Sequence, residues 1–374
     1  MRLLRLRLRD FRNFEAVDLS LPGGLCVLWG DNGQGKTNLL EAVYLLATLK
    51  SFRGARGGQL IRKGCDQAQV DAKLVVRSLP RDCRMTVDPK GKRLRLDGKD
   101  PRGLPNWFEH IKAVSFVPAD LRMVDGPPEG RRDFLDRAAF TLDAGYLEIA
   151  RNYRAALKNK NALLRDARRR GRPVDGDQLA VWNDRLVNAG AWVVYRRTAF
   201  LRDFAPVFRE LHHGITGAAK GRAEFRYRSC VGAEAVESGL AGITEVLKAK
   251  VAAADPNERR QGHATVGPHR DDWELFVGDE SLRSFGSQGQ IRSAALSLRV
   301  GQLVLARNRS GVCPLFLLDD VSSELDPQRN EQLMTLLLEL EAQVLITTTD
   351  RSNLRLDRGS YRAWRVVSGT ITDG

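Results

Sequence analysis

Residues 25–41 read Leu25-Cys26-Val27-Leu28-Trp29-Gly30-Asp31-Asn32-Gly33-Gln34-Gly35-Lys36-Thr37-Asn38-Leu39-Leu40-Glu41. Leu25–Trp29 is a short apolar run of the kind used by a buried strand. From Asn38 to Lys50, Leu39, Leu40, Val43, Leu46 and Leu49 recur at helical spacing. Between them stands Gly30-x-x-x-x-Gly35-Lys36-Thr37, the P-loop pattern, in the strand–loop–helix setting it requires. Gly30, Gly33 and Gly35 let the backbone wrap tightly, so that successive N–H groups converge on a phosphate; Asp31, Asn32 and Gln34 complete the loop. The helix that follows adds the positive end of its dipole. Lys36 can reach the β- and γ-phosphates, and the Thr37 hydroxyl can ligate Mg²⁺. The stretch predicts an α/β fold that binds ATP with Mg²⁺.

Near the other end, Leu315-Phe316-Leu317-Leu318-Asp319-Asp320 is four apolar residues followed by two acids, the Walker B form. A parallel strand beside the P-loop strand would bring Asp319 to the Mg²⁺. Asp320 could then polarise the attacking water. Ser322-Ser323-Glu324-Leu325-Asp326 follows, and its Asp326-Pro327 step also reads as an ordinary helix start. Upstream, Ser287-Gln288-Gly289-Gln290 opens a long helix. Ser287 and Gln290 fit a capping box, and equally a second anion-binding helix start able to hold a γ-phosphate.

The bulk properties narrow the setting. The chain has 374 residues, 43% hydrophobic and 28% charged, which suits a soluble globular protein. No apolar run approaches the roughly 20 residues that span a bilayer, so no membrane is expected. Leu4, Leu6 and Leu8 alternate with Arg5, Arg7 and Arg9, an amphipathic strand rather than a signal peptide. Cys26, Cys65, Cys83, Cys230 and Cys313 lack metal-site spacing and suggest free thiols in a reducing cytoplasm. A net charge of +14 and a pI near 9.9 favour polyanionic partners.

Along the chain, short strand signals run to about residue 117 and resume at Trp273. From about 128 to 213 there is almost none. There, residues 147–164 and 182–200 follow three-and-four spacing on either side of a turn at 172–177, which predicts an inserted antiparallel helical hairpin. The expected division is 1–122, an N-terminal part of the head; 123–262, a mainly helical lobe; and 263–374, the C-terminal part of the head. Residues 151–172 hold nine cations, Arg151, Arg154, Lys158, Lys160, Arg165, Arg168, Arg169, Arg170 and Arg172, against Asp166 alone. That imbalance is too large for interleaved surface ion pairs and predicts contact with DNA phosphates. Lys50, Arg53 and Arg56 form a second candidate patch.

A P-loop near the N-terminus, an S-x-G-Q helix start before Walker B and S-S-E-L-D after it resemble the ABC-type ATPases of the SMC class. Finer features narrow the resemblance to the RecF family of bacterial DNA-repair ATPases. They include Leu8-x-x-Phe11-Arg12-Asn13-Phe14, Lys50-Ser51-Phe52-Arg53, Gly267-Pro268-His269-Arg270-Asp271-Asp272 and Thr347-Thr348-Thr349-Asp350. The resemblance implies a P-loop ABC-type head split by a helical lobe, slow DNA-stimulated ATP hydrolysis and an ATP-dependent homodimer. It also implies binding of double-stranded DNA and single/double-strand junctions in the nucleoid. The implied partners are RecR with RecO, and RecA indirectly through loading at gaps, in repair, replication restart and SOS induction. Residue by residue, it gives Asp319 to Mg²⁺ and the catalytic carboxylate role to Asp320. Ser287, Gly289 and Gln290 go to the γ-phosphate of a partner copy, Asp326 to the dimer-crossing loop, and Arg12 to a phosphate contact.

The sequence departs from the general ABC pattern in four places, the first being that no Q-loop glutamine can be placed after Val117. Gln288 replaces a signature glycine, Asp320 stands where many relatives have glutamate, and threonines occupy the place of the switch histidine. A transporter subunit would need that glycine and that histidine. A small-molecule P-loop kinase leaves the Ser287 helix and the basic hairpin unexplained. An SMC-like DNA clamp outside repair is the alternative that shares every motif.

Overall fold

The apolar run before the P-loop becomes a central strand because neighbours cover it on both edges. The computed structural model describes residues 1–216, 223–320, 327–354 and 361–374. In order come β1 (Arg2–Phe11), β2 (Phe14–Ser20), β3 (Leu25–Trp29), α1 (Lys36–Thr48), α2 (Gly57–Leu60), β4 (Ala68–Val76), β5 (Leu79–Asp88) and β6 (Gly91–Leu96). Next are α3 (Leu104–His110), β7 (Ala113–Phe116), α4 (Arg122–Asp125), α5 (Pro128–Leu142), α6 (Tyr146–Arg170), α7 (Gly176–Thr216), β8 (Ala223–Arg228), α8 (Ala233–Glu237) and α9 (Gly239–Gln261). The chain continues with β9 (Asp272–Val277), β10 (Glu280–Ser281), α10 (Leu282–Phe285), α11 (Gln288–Ser310), β11 (Leu315–Leu318), α12 (Pro327–Glu339), β12 (Val344–Thr348), β13 (Tyr361–Val367) and β14 (Thr370–Asp373).

The chain divides into two units. The first holds Met1–Asp120 and Gln288–Gly374, with the end of α7; the second holds Leu121–Glu210 and the segment from β8 to Ser287. The expected break at residue 262 therefore falls at 287. The reason is β9, which pairs antiparallel with β8 along its whole length and so stays with the helices. The alternation of Ala223, Phe225 and Tyr227 with charged residues was the signal for β8.

In the first unit, a sheet in the order β14-β13-β3-β12-β11-β7 is parallel except for the β13–β14 hairpin. A second, antiparallel sheet runs β2-β1-β4-β5-β6. Helix α1 touches strands of both sheets. It is accordingly buried on all sides, from Leu39 and Leu40 through Val43 and Tyr44 to Ala47. The Walker B strand is not beside the P-loop strand as the sequence suggested: β12 separates β3 from β11. Helix α1 closes the gap by crossing over β12 towards β11 and β7.

In the second unit, α6 and α7 share an apolar cluster with α9, built on Tyr153, Ala156, Leu186, Val194, Ile243 and Leu247. Gly190 permits this approach, since a Cβ there would lie 3.1 Å from the Leu247 side chain and 3.2 Å from Tyr153. The second helix is far longer than its sequence signal, at 41 residues. The Gly267–Asp272 stretch proves to be an ion-pair hub. Asp272 takes a two-pronged bond from buried Arg131 at 2.6 and 2.8 Å, and Asp271 faces Arg197 at 3.3 Å. Arg197 also pairs with Asp136 at 2.8 Å. Burial alone would raise the Asp136 carboxyl, but Arg197 and the Tyr146 hydroxyl hold it below its usual range.

His269 belongs to the same hub. Its Nδ1 meets the Tyr153 hydroxyl at 2.5 Å and its Nε2 the Ala264 carbonyl at 3.3 Å, an arrangement that suits the neutral ring. Burial, helped by Arg270 and Arg132 against Glu258, pushes its pKa down to about 4. Between that value and the ordinary 6.5, the unfolded chain binds a proton that the folded chain does not. Stability is thus complete above about pH 6.5 and falls as the pH drops towards 4. Denaturant melts should show a loss of about 2 kcal/mol from this group between pH 7 and pH 5. His269→Gln should flatten that pH dependence; an unchanged slope would contradict the assignment.

Candidate functional site

The loop between β3 and α1 bends through three left-handed glycines, Gly30 (φ 141°), Gly33 (φ 81°) and Gly35 (φ 115°). Two of them are also held by close neighbours. A Cβ on Gly30 would lie 2.5 Å from the Val366 carbonyl oxygen, and one on Gly35 2.6 Å from Asn13 Nδ2. Asp31, Asn32 and Gly33 form the exposed crest. Lys36 is buried and donates to the carbonyls of Gly30 at 2.5 Å and Asp31 at 2.7 Å. Burial lowers its pKa, while Asp320, Asp319 and Asp31 act in the opposite sense.

Two turns brace this loop from outside. Asn13, between β1 and β2, donates to the Gln34 carbonyl at 3.0 Å and accepts from Asn38 at 2.8 Å. Between β13 and β14, the Ser368 N–H donates to Gln34 Oε1 at 2.6 Å and Gly369 N–H to the Gln34 carbonyl at 3.2 Å. Arg12 precedes Asn13 in the first of these turns. Its guanidinium grips fully buried Glu41 of α1 through two bonds of 2.8 Å and donates to the Gln59 carbonyl at 2.7 Å. Ser51 donates to the same Glu41. Both sequence signals around Arg12 and Ser51 therefore serve α1.

On the other side of the loop, the Thr37 hydroxyl donates to Asp319 Oδ1 at 2.8 Å, and Thr347 at the end of β12 donates to the same oxygen at 2.7 Å. The Asp320 N–H donates to Thr347 Oγ1 at 2.9 Å. Burial raises the Asp319 carboxyl, the two threonines oppose this, Asp320 adds to it and Arg53 opposes it. A hydroxyl and a buried carboxylate on one spot are hard oxygen donors that fit a small divalent cation. A tightly turned run of glycine N–H groups at a helix start fits a polyphosphate. The residues present thus suit a nucleotide with Mg²⁺.

The remaining predicted residues lie as follows. Ser287 is exposed immediately before α11, with Gly289 and Gln290 in its first turn. Asp326, with the rest of Ser322–Asp326, lies outside the described residues. Arg53 is exposed and reaches Asn38 Oδ1 at 3.1 Å, beside the P-loop helix; Lys50 and Arg56 are exposed.

The basic helix is less uniform than its sequence. Lys160 is fully buried and paired with Glu258 at 2.6 Å, so it belongs to the core. Arg154 pairs with Asp136 at 2.9 Å, and Asp166 is shared by Arg169 and Arg170 at 3.0 Å each. Arg165 and Arg168 donate to the carbonyls of Asn161 and Gln261. Arg151, Arg154, Lys158, Arg165, Arg168 and Arg169 are all exposed.

The chain is 38% identical over 373 residues to the DNA replication and repair protein RecF of Geobacter sulfurreducens, with 100% of both chains covered. It is 41% identical to that of an Anaeromyxobacter species, covering 99% of this chain and 98% of that one. The chain belongs to the RecF family. No protein-family model matches it. Among solved structures, the recombination mediator protein RecF with ATP, from the RecFOR pathway, superposes with a TM-score of 0.89 at 26% identity over 100% of this chain and 97% of that one. The Smc head domain of Pyrococcus furiosus gives 0.56 at 14% identity, covering 99% and 95%, and shares the ABC-type head fold. Of the motifs read from the sequence, Leu8–Phe14, Gly30–Thr37, Lys50–Arg53 and Thr347–Asp350 lie on the α/β head and Gly267–Asp272 in the second unit, while Ser287 is the last residue of the second unit and Gln288 the first of the returning head.

Asn13 stands within the Leu8–Phe14 motif, and nothing in its local sequence marks it as a brace of the phosphate loop. Replacing it with alanine removes its bonds to Gln34 and Asn38 and leaves those of the Ser368 turn. A fluorescent ATP analogue should bind Asn13→Ala about 10-fold more weakly. Equal affinity in the two proteins would show that the turn does not shape the loop.

Proposed function

We propose that this RecF-family chain is an ATP-switched, double-stranded-DNA-binding protein of replication and recombinational repair in the cytoplasm. The observation that carries the ATP reading is the 2.8 Å contact of Thr37, next to Lys36, with the Asp319 carboxylate. Gly30–Thr37 cradle the phosphates, and Lys36 leaves its loop carbonyls for the β- and γ-oxygens. Thr37 and Asp319 would hold Mg²⁺, which supplies charge neutralisation across the phosphates. Asp320 takes the proton of the attacking water. Ser287, Gly289 and Gln290 present a helix start to the γ-phosphate held by a second copy, with Asp326 in the crossing loop. Two triphosphates then bridge a homodimer, and slow, DNA-stimulated hydrolysis releases it.

The exposed cations of α6 supply sequence-independent contact with the DNA backbone, joined by Lys50, Arg53 and Arg56. Lys160 takes no part. By family membership, the dimer acts at single/double-strand junctions with RecR and RecO to promote RecA loading. It thereby serves replication restart and SOS induction.

Sedimentation should show a monomer without nucleotide and a dimer with ATP and Mg²⁺, and Lys36→Met should stay monomeric. A wild-type monomer at saturating ATP would contradict the switch. For DNA, the triple variant Arg151→Glu, Lys158→Glu, Arg165→Glu should lower affinity and reduce the slope of log K against log salt by about 2 to 3. A wild-type slope would remove α6 from the interface.

A further inference from the structure

The mechanism above uses the end of β3 and the end of β11. It gives no part to the strand that separates them. The register of β12 places Ile346 opposite Leu318 on one side and Thr347 opposite Leu28 on the other. Thr347 therefore stands level with Asp319, the first residue beyond β11. Its side chain is 1% exposed, and its one hydroxyl serves both acids. It donates to Asp319 Oδ1 at 2.7 Å and accepts from the Asp320 backbone N–H at 2.9 Å.

Asp320 is also one of the few non-glycine residues in the left-handed region, with φ 54°. That conformation costs on the order of 1 kcal/mol and persists only where the surroundings fix it. The Thr347 oxygen is the described acceptor for the very N–H that this turn re-aims. A β-branched residue suits the strand, and its stiff χ1 holds the hydroxyl in place. Valine would keep the shape and lose both bonds; serine would keep the hydroxyl.

We propose that Thr347 is a positioning residue for ATP hydrolysis. It sets the Asp319 carboxylate against Thr37 and locks the backbone turn that aims Asp320. Its effect travels through these two acids, with which it shares both its bonds. The proposal rests on the ATPase reading given above. It separates the site's two tasks: nucleotide capture depends on the P-loop, while cleavage depends on the acids.

The test compares wild type, Thr347→Val and Thr347→Ser at equal Mg²⁺. Thr347→Val should bind a fluorescent ATP analogue within about 3-fold of wild type. Its kcat should fall about 10- to 100-fold, as expected for the loss of bonds to charged or buried groups. Its ATP-dependent dimer should live correspondingly longer. Mn²⁺ titration followed by EPR, with a non-hydrolysable analogue present, should show weaker metal binding. Thr347→Ser should recover most of the turnover and metal affinity. Three results would overturn the proposal: wild-type kcat in Thr347→Val, failure of Thr347→Ser to recover turnover, or a loss of nucleotide binding as large as the loss of kcat. If wild-type protein itself hydrolyses no ATP, the ATPase reading fails instead.

Discussion

The site depends on three strands ending at one level. β3, β12 and β11 run parallel and side by side, and each delivers its chemistry at its carboxyl end: the glycine loop, Thr347 and the two acids. The parallel ladders fix that level, pairing Ile346 with Leu318 on one side and with Val27 on the other. Leu315–Leu318 and Val344–Thr348 are buried at every position. The 2.8 Å contact between Thr37 and Asp319 follows from this level and from α1 crossing over β12. Bracing from the Asn13 and Ser368 turns then holds the loop against the helix.

The second unit is organised by charge as well as by apolar packing. Arg131, Arg197 and Lys160 are buried and answered by Asp272, Asp136, Asp271 and Glu258. Buried pairs gain little net stability over apolar packing, yet losing one partner costs about 3 to 5 kcal/mol. The hub therefore specifies how α5, α6, α7 and the Gly267–Asp272 stretch meet, more than it stabilises them. It also explains why the basic surface of α6 is smaller than its composition suggests. Helical spacing aims Lys160 inward, where Glu258 waits, and leaves Arg151, Lys158 and Arg165 on the outer face.

Most of the head could be read from the chain. Gly30–Thr37, Asp319 and the alternating strands carry local signals, because glycine, lysine and acids at fixed spacing answer to phosphate chemistry. The order of strands could not be read, since Leu315–Leu318 has the same composition wherever it pairs. For that reason β11 was expected next to β3. Thr347 stands in the Thr347–Asp350 motif, but its partners could not be read, because a threonine in a strand does not reveal what its neighbour will be. The partner of Arg12 could not be read either, since nothing in its local sequence points to buried Glu41 on α1. The break at residue 287 is not legible because the weak alternation of Ala223–Arg228 conceals the partner of β9.

The central claim is that one copy's glycine loop and a second copy's Ser287 helix start enclose the same triphosphate. A crystal structure of the chain with a non-hydrolysable ATP analogue and Mg²⁺ tests this most directly. The account requires Lys36 at the β- and γ-phosphates, Thr37 and Asp319 at the metal, and Ser287 of the second copy within hydrogen-bonding distance of the γ-group. A bound analogue whose γ-group faces solvent, with every Ser287 far from it, would contradict the account.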